Sequence, residues 1–219
     1  MNAPVICALP EGIASLIRGA ETTKPSRTIA TWFCGEAKPV TRFVISPKAF
    51  VPSLSNVRST VQTFPAKDVQ GYDTDNAALI EYVKKQAWCT GDIGAMGFCI
   101  GGHLAFRAAL QPQVKSTACF YATDLHTQVI PNKPGQHSME RLNEIKGELL
   151  MIWGKQDPHI PSAGRADVYS QLSATDIKFT WHEFNGQHAF MRDEGDRYDP
   201  QLAAIGYQLA LQMFGRTLR

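Results

Sequence analysis

The sequence has no run of about 18 consecutive apolar residues, so it predicts no membrane-spanning helix. It has no block of like charge either: 22 basic and 20 acidic residues are interspersed, and the net charge is only +2. That balance gives no support for a nucleic-acid or membrane partner. The five cysteines (Cys7, Cys34, Cys89, Cys99, Cys119) are odd in number, scattered, and form no C-x-x-C pair. Neither a metal site nor a dithiol redox motif is therefore expected. Met1-Asn2-Ala3-Pro4 lacks the basic start and apolar stretch of a secretory signal, so the expected location is cytoplasmic. There is no internal repeat and no low-complexity linker.

What is present suits an ordinary globular chain. Its 219 residues are 44% apolar and 19% charged, enough to bury a full core without disulfide or metal staples. One domain over residues 1–219 is the expectation.

From about residue 71 the hydrophobic pattern alternates between helix and strand. Asp73 to Trp88 predicts a helix capped by Asp73 or Asp75. Ile93 to Phe98 predicts a short buried strand, Gly101 to Leu110 a helix, and Ser116 to Tyr121 a strand. Leu142 to Ile145 reads as a helical turn, Glu148 to Trp153 as a central strand, and Ala163 to Leu172 as a helix. Ile177 to Phe184 closes the strands, and Pro200 to Leu218 is a long final helix. Strands alternating with helices predict an α/β fold, a mostly parallel sheet with helices on both faces. Thr28 to Phe33 and Phe43 to Val51 read as two further strands in a proline-interrupted N-terminal third.

The strongest chemical signal is Gly97-Phe98-Cys99-Ile100-Gly101-Gly102-His103, between a buried strand and a helix. That is the setting in which G-x-S-x-G forms a nucleophile elbow, here with Cys in place of Ser. Glycines on either side remove side chains that would collide in the sharp turn. The helix that follows points its free N–H groups and positive dipole end at the thiol, favouring thiolate. The Ile100 N–H can serve as one oxyanion donor. The bland alternative is a glycine-rich turn holding an inert buried Cys.

A nucleophilic thiol needs a base, and the base needs an orienting acid, in the chain order nucleophile, acid, histidine. Asp157 follows the apolar strand Leu149 to Trp153, on the edge where open α/β sheets carry function. His188 follows the next strand in Asn185-Gly186-Gln187-His188. His159 is its competitor, but it lies close to Asp157 along the chain and reads as a rim residue. His182 falls inside a strand, His103 inside the elbow helix, and His126 and His137 in connecting loops.

With Gly97-Phe98-Cys99-Ile100-Gly101-Gly102, Asp157-Pro158-His159-Ile160-Pro161 and His188-Ala189-Phe190-Met191-Arg192 in order, the chain resembles the dienelactone hydrolase family of α/β-hydrolases over roughly residues 71 to 219. The resemblance implies an α/β-hydrolase fold and hydrolysis of small lactones or esters through a thioester acyl-enzyme. The implied triad is Cys99, Asp157 and His188, with no cofactor and a small-molecule ester or lactone as partner. A monomer or small homo-oligomer is expected. By the same resemblance Arg192, four residues after His188, is similar to a clamp on a substrate carboxylate; the alternative is a surface salt bridge to Asp193 or Glu194. Tyr121, at the end of the strand after the elbow helix, lines the pocket or packs in the core. The N-terminal third departs from the family pattern. There Trp32-Phe33-Cys34-Gly35-Glu36-Ala37 is the nearest match to the family's Glu-bearing segment. It offers Glu36 as the family Glu or as an exposed loop carboxylate. The alternative function is a non-catalytic ligand-binding homologue that has lost its oxyanion hole.

Overall fold

The structure, a computed structural model, describes residues 5–6, 31–34, 69–85, 91–129, 134–192 and 195–218. Two of its strands explain the rest. β3 (Ile93–Cys99) and, after its first residue, β5 (Glu148–Gly154) are unbroken apolar runs, buried from Ile93 to Phe98 and from Leu149 to Gly154. A strand buried on both faces needs no polar alternation, and that is the position of a central strand in a parallel sheet covered by helices.

The remaining strands are β1 (Val5–Ile6), β2 (Thr31–Cys34), β4 (Val114–Phe120) and β6 (Phe179–Phe184). Every described pairing is parallel, in the order β1-β3-β4-β5-β6, with β2 also on β3. β1 pairs with Gly94 and Ala95, β2 with Met96 through Cys99, so the two follow one another along the edge of β3 opposite β4. This register sets Cys34 beside Cys99. The expected strand Thr28 to Phe33 is seen as Thr31–Cys34; the expected strand Phe43 to Val51 lies outside the described residues.

Helices α1 (Val69–Lys84), α2 (Ile100–Ala108), α3 (Ser162–Ser173) and α4 (Pro200–Thr217) connect and cover the strands, with a 3₁₀ helix at Ser138–Glu144. α4 starts cleanly. Asp199 Oδ1 accepts the N–H groups of Gln201 and Leu202, both at 3.0 Å, and Pro200 occupies the first turn, where its missing donor costs nothing. The helix packs on β4 and β5. Between β5 and β6 the Trp153 and Trp181 rings meet, with centroids 5.1 Å apart. No described helix is long and apolar enough to cross a membrane.

The helix expected at Asp73 begins instead at Val69, so neither Asp73 nor Asp75 is its cap. Asp73 is committed elsewhere. Its carboxylate accepts Arg107 Nε at 2.8 Å and Nη2 at 2.6 Å, and Arg141 Nη1 at 2.9 Å. Arg107 is 1% exposed, so its charge depends on this bidentate pair. Removing one partner of such a pair costs about 3–5 kcal/mol, because the other charge is left buried and alone.

Candidate active site

The elbow forms where the sequence places it, at the junction of β3 and α2. Cys99 has φ 58° and ψ −126°, a backbone conformation that costs a non-glycine residue about 1–3 kcal/mol. Such strain persists only when the surroundings fix it. One constraint is at Gly97, where a Cβ would lie 1.9 Å from the Gly101 carbonyl oxygen, so only glycine lets β3 pass the first turn of α2. Another is the Cys99 carbonyl, which accepts the Thr123 N–H at 3.2 Å from the loop after β4. Ile100, immediately after the thiol, is the first residue of α2, the position of an N–H without an intrahelical partner.

Asp157 and His188, the expected acid and base, arrive on the loops that leave β5 and β6 at the same sheet edge. These loops are stitched together: Lys155 N–H donates to the Phe184 carbonyl at 2.8 Å and Gln156 N–H to the Gly186 carbonyl at 3.0 Å. The Gln156 side chain also donates to Asn185 Oδ1 at 2.9 Å. The result brings three residues, distant in sequence, into one line. His188 Nδ1 lies 2.6 Å from Asp157 Oδ2, and His188 Nε2 lies 3.1 Å from Cys99 Sγ. Since a carboxylate only accepts, Nδ1 carries the proton in that bond, and Nε2 faces the sulfur. Asp157 is 4% exposed; its second oxygen accepts the His159 N–H at 2.8 Å, so both oxygens have partners despite burial.

Two opposing effects act on His188. Burial lowers its pKa; hydrogen bonds to Asp157 and to Cys99 raise it, and the raising effects win, to about 9. Cys119 is the contrasting thiol. It is wholly buried in β4, and desolvation pushes its pKa far up.

Each remaining expected residue has a definite place. Tyr121 is 2% exposed, so it belongs to the core, and its ring meets those of His188 at 5.1 Å and Phe190 at 5.3 Å. Burial raises its phenol pKa well above the ordinary value; the negative side of Cys99 acts the same way, against a hydrogen bond from the Met191 backbone. Arg192 is half-buried, and its charge reaches the same phenol. Among the described residues no carboxylate pairs with Arg192 in a salt bridge. Glu36 lies outside the described residues. His159 is exposed, its ring edge-on to His188 with centroids 4.7 Å apart, while its backbone serves Asp157.

Sequence reasoning missed a buried polar line behind the elbow, running through Asp73, Arg107, Ser138 and His103. Its signal was present: His103 and Arg107 interrupt an otherwise apolar helix, and both are fully enclosed.

A parallel sheet with the Cys99 turn and the loops of Asp157 and His188 gathered at one edge has the α/β-hydrolase fold. The dienelactone hydrolase family model matches residues 55–218, and the chain belongs to that family. It is 34% identical over 160 residues to a Saccharomyces cerevisiae protein named "Putative carboxymethylenebutenolidase", covering 70% of this chain and 59% of that one. It is 27% identical over 147 residues to the carboxymethylenebutenolidase of Pseudomonas putida, covering 67% and 58%. The chain thus spans less than two thirds of the length of these relatives. Among solved structures, a dienelactone hydrolase-like promiscuous phosphotriesterase from metagenomic libraries superposes with a TM-score of 0.60 at 18% identity, over 76% of this chain and 69% of that one. That likeness is one of fold.

Proposed function

We propose that the chain hydrolyses small lactones or esters through a Cys99-Asp157-His188 triad and a thioester acyl-enzyme. The observation that carries this reading is the unbroken line from carboxylate to imidazole to thiol, at 2.6 Å and 3.1 Å. In this mechanism the Cys99 sulfur attacks the substrate carbonyl carbon. The Ile100 N–H, preorganised at the helix start, supports the oxyanion. His188, held by Asp157, takes up the thiol proton of Cys99 and passes it to the leaving alkoxide, and the thioester forms as the C–O bond breaks. His188 then takes a proton from water, which attacks the thioester and releases the acid and Cys99. Membership of the dienelactone hydrolase family supports the substrate class. The guanidinium of Arg192, near Tyr121 and without a carboxylate partner among the described residues, supports a preference for substrates that carry a carboxylate.

The test is a panel of esters and lactones run on the wild type, Cys99→Ala and His188→Ala. Turnover should vanish in the first variant and fall at least about a hundredfold in the second, the lower range for losing a general base. His159→Ala should cost far less. Wild-type rates in Cys99→Ala would overturn the proposal.

A further inference from the structure

Beneath the elbow lies the buried polar line that the proposed chemistry does not touch. His103 stands one turn into α2 from Cys99 and is 1% exposed. Its Nδ1 is 3.0 Å from the Thr123 carbonyl oxygen and its Nε2 is 2.6 Å from Ser138 Oγ. A carbonyl oxygen only accepts, so Nδ1 bears the hydrogen. Burial, with the neighbouring Arg107 charge, holds the ring pKa down at about 3, so the ring is neutral and Nε2 accepts from the Ser138 hydroxyl. Ser138 Oγ in turn accepts Arg107 Nη1 at 3.0 Å; Arg107 also donates to the Gln136 carbonyl at 3.0 Å and to both oxygens of Asp73. Every bond in this line has one direction, from guanidinium to hydroxyl to imidazole to carbonyl. No member can turn round without stranding a neighbour in the core.

The line ends on the residue that holds the nucleophile. Thr123 receives His103 on its carbonyl and donates its N–H to the Cys99 carbonyl. Tyr121 and Asp124, near it on either side, have φ of 37° and 68°, so this loop is itself strained and needs outside support. It approaches α2 closely: a Cβ on Gly102 would lie 2.8 Å from the Phe120 carbonyl oxygen. The same loop carries the Tyr121 ring that meets His188. One imidazole therefore braces a loop that touches the nucleophile's backbone at one point and the base's ring at another.

We infer that His103 is a positioning residue: through Thr123 and Tyr121 it sets the Cys99 thiol against His188. The inference rests on the triad reading above. Its test uses two readouts, the second-order rate of Cys99 alkylation by iodoacetamide, and kcat and KM on an activated ester. In His103→Leu, alkylation and kcat should both fall about tenfold or more, towards the ~100-fold that an ångström-scale misplacement costs, with KM little changed. His103→Gln offers an amide N–H for Thr123 and an amide oxygen for Ser138, and should recover part of both rates. Thr217→Val is the stability control. It breaks the 2.7 Å Ser116–Thr217 bond at the opposite end of β4, and should lower Tm without slowing alkylation. If His103→Leu does not fold, Ser138→Ala takes its place, with an expected loss of about threefold or more. Rates in these variants equal to those of Thr217→Val would overturn the inference. An inert wild-type enzyme would instead overturn the triad reading, so the two failures are distinguishable.

Discussion

Asp157 and His188 are joined by a 2.6 Å bond between side chains that are only 1% and 7% exposed. Their contact ties the β5 and β6 loops together and favours the protonated form of His188. The His188 pKa is raised in the fold to about 9, so folding favours the protonated ring. That contribution is complete below the unfolded value near 6.5 and is lost as pH rises through about 9. Chemical denaturation of the wild type and His188→Gln at pH 6, 8 and 10 should show the stability gap narrowing towards pH 10. A gap that widens with pH would reverse the assignment.

Gly97→Ala should damage the elbow more than its size suggests. The new methyl would press on backbone, the Gly101 carbonyl, and not on a side chain that can rotate away. Overpacking of this kind costs about 1–3 kcal/mol, and relief requires the elbow to move. Urea titration should show the loss, and activity should fall by more than the unfolded fraction explains. Full activity in a destabilised variant would show that the elbow tolerates displacement.

Limiting iodoacetamide followed by peptide mapping should label Cys99 ahead of Cys119. Cys99 is partly exposed at a helix start with His188 at 3.1 Å; Cys119 is buried with its pKa pushed up. His188→Ala should slow the labelling of Cys99 and leave Cys119 unchanged. Equal labelling of the two in the native state would remove the case for an activated thiol.

Arg192→Lys should weaken substrates with a carboxylate more than neutral esters. A planar fork and a point charge differ most towards a bidentate anion, and each charge-assisted bond contributes on the order of 1.5–3 kcal/mol. The measurement is kcat/KM on matched acidic and neutral substrates. Equal losses on both would assign Arg192 to structure and not to substrate.

The elbow was legible because its requirements are local: two glycines, a thiol, an apolar strand before and a helix after. The β5 run from Leu149 to Trp153 was legible because a short apolar run bounded by polar residues and followed by a glycine fits a strand buried on both faces. Asp73 misled for a physical reason. An aspartate before a helical pattern has the chemistry of a cap, and only the arrival of Arg107 and Arg141 from elsewhere in the chain shows that its carboxylate is taken. The 3₁₀ helix begins at Ser138, four residues before the expected turn; Glu140 accepts the His137 N–H there at 3.1 Å, a capping contact with an unusual residue at the cap. Long-range partners of this kind also hid the role of His103, since a histidine in a helix says nothing of the serine 35 residues away that it meets.

The pair of indoles between β5 and β6 gives this molecule an optical signature of its own. Trp153 is wholly buried and Trp181 partly so, with their rings tilted 41° to one another. Two transition dipoles so close and so oriented couple, and circular dichroism in the ultraviolet should carry a split band from that coupling. The strands that hold them are the ones that deliver Asp157 and His188, so loss of the band during unfolding would time the separation of that carboxylate from that imidazole without any substrate.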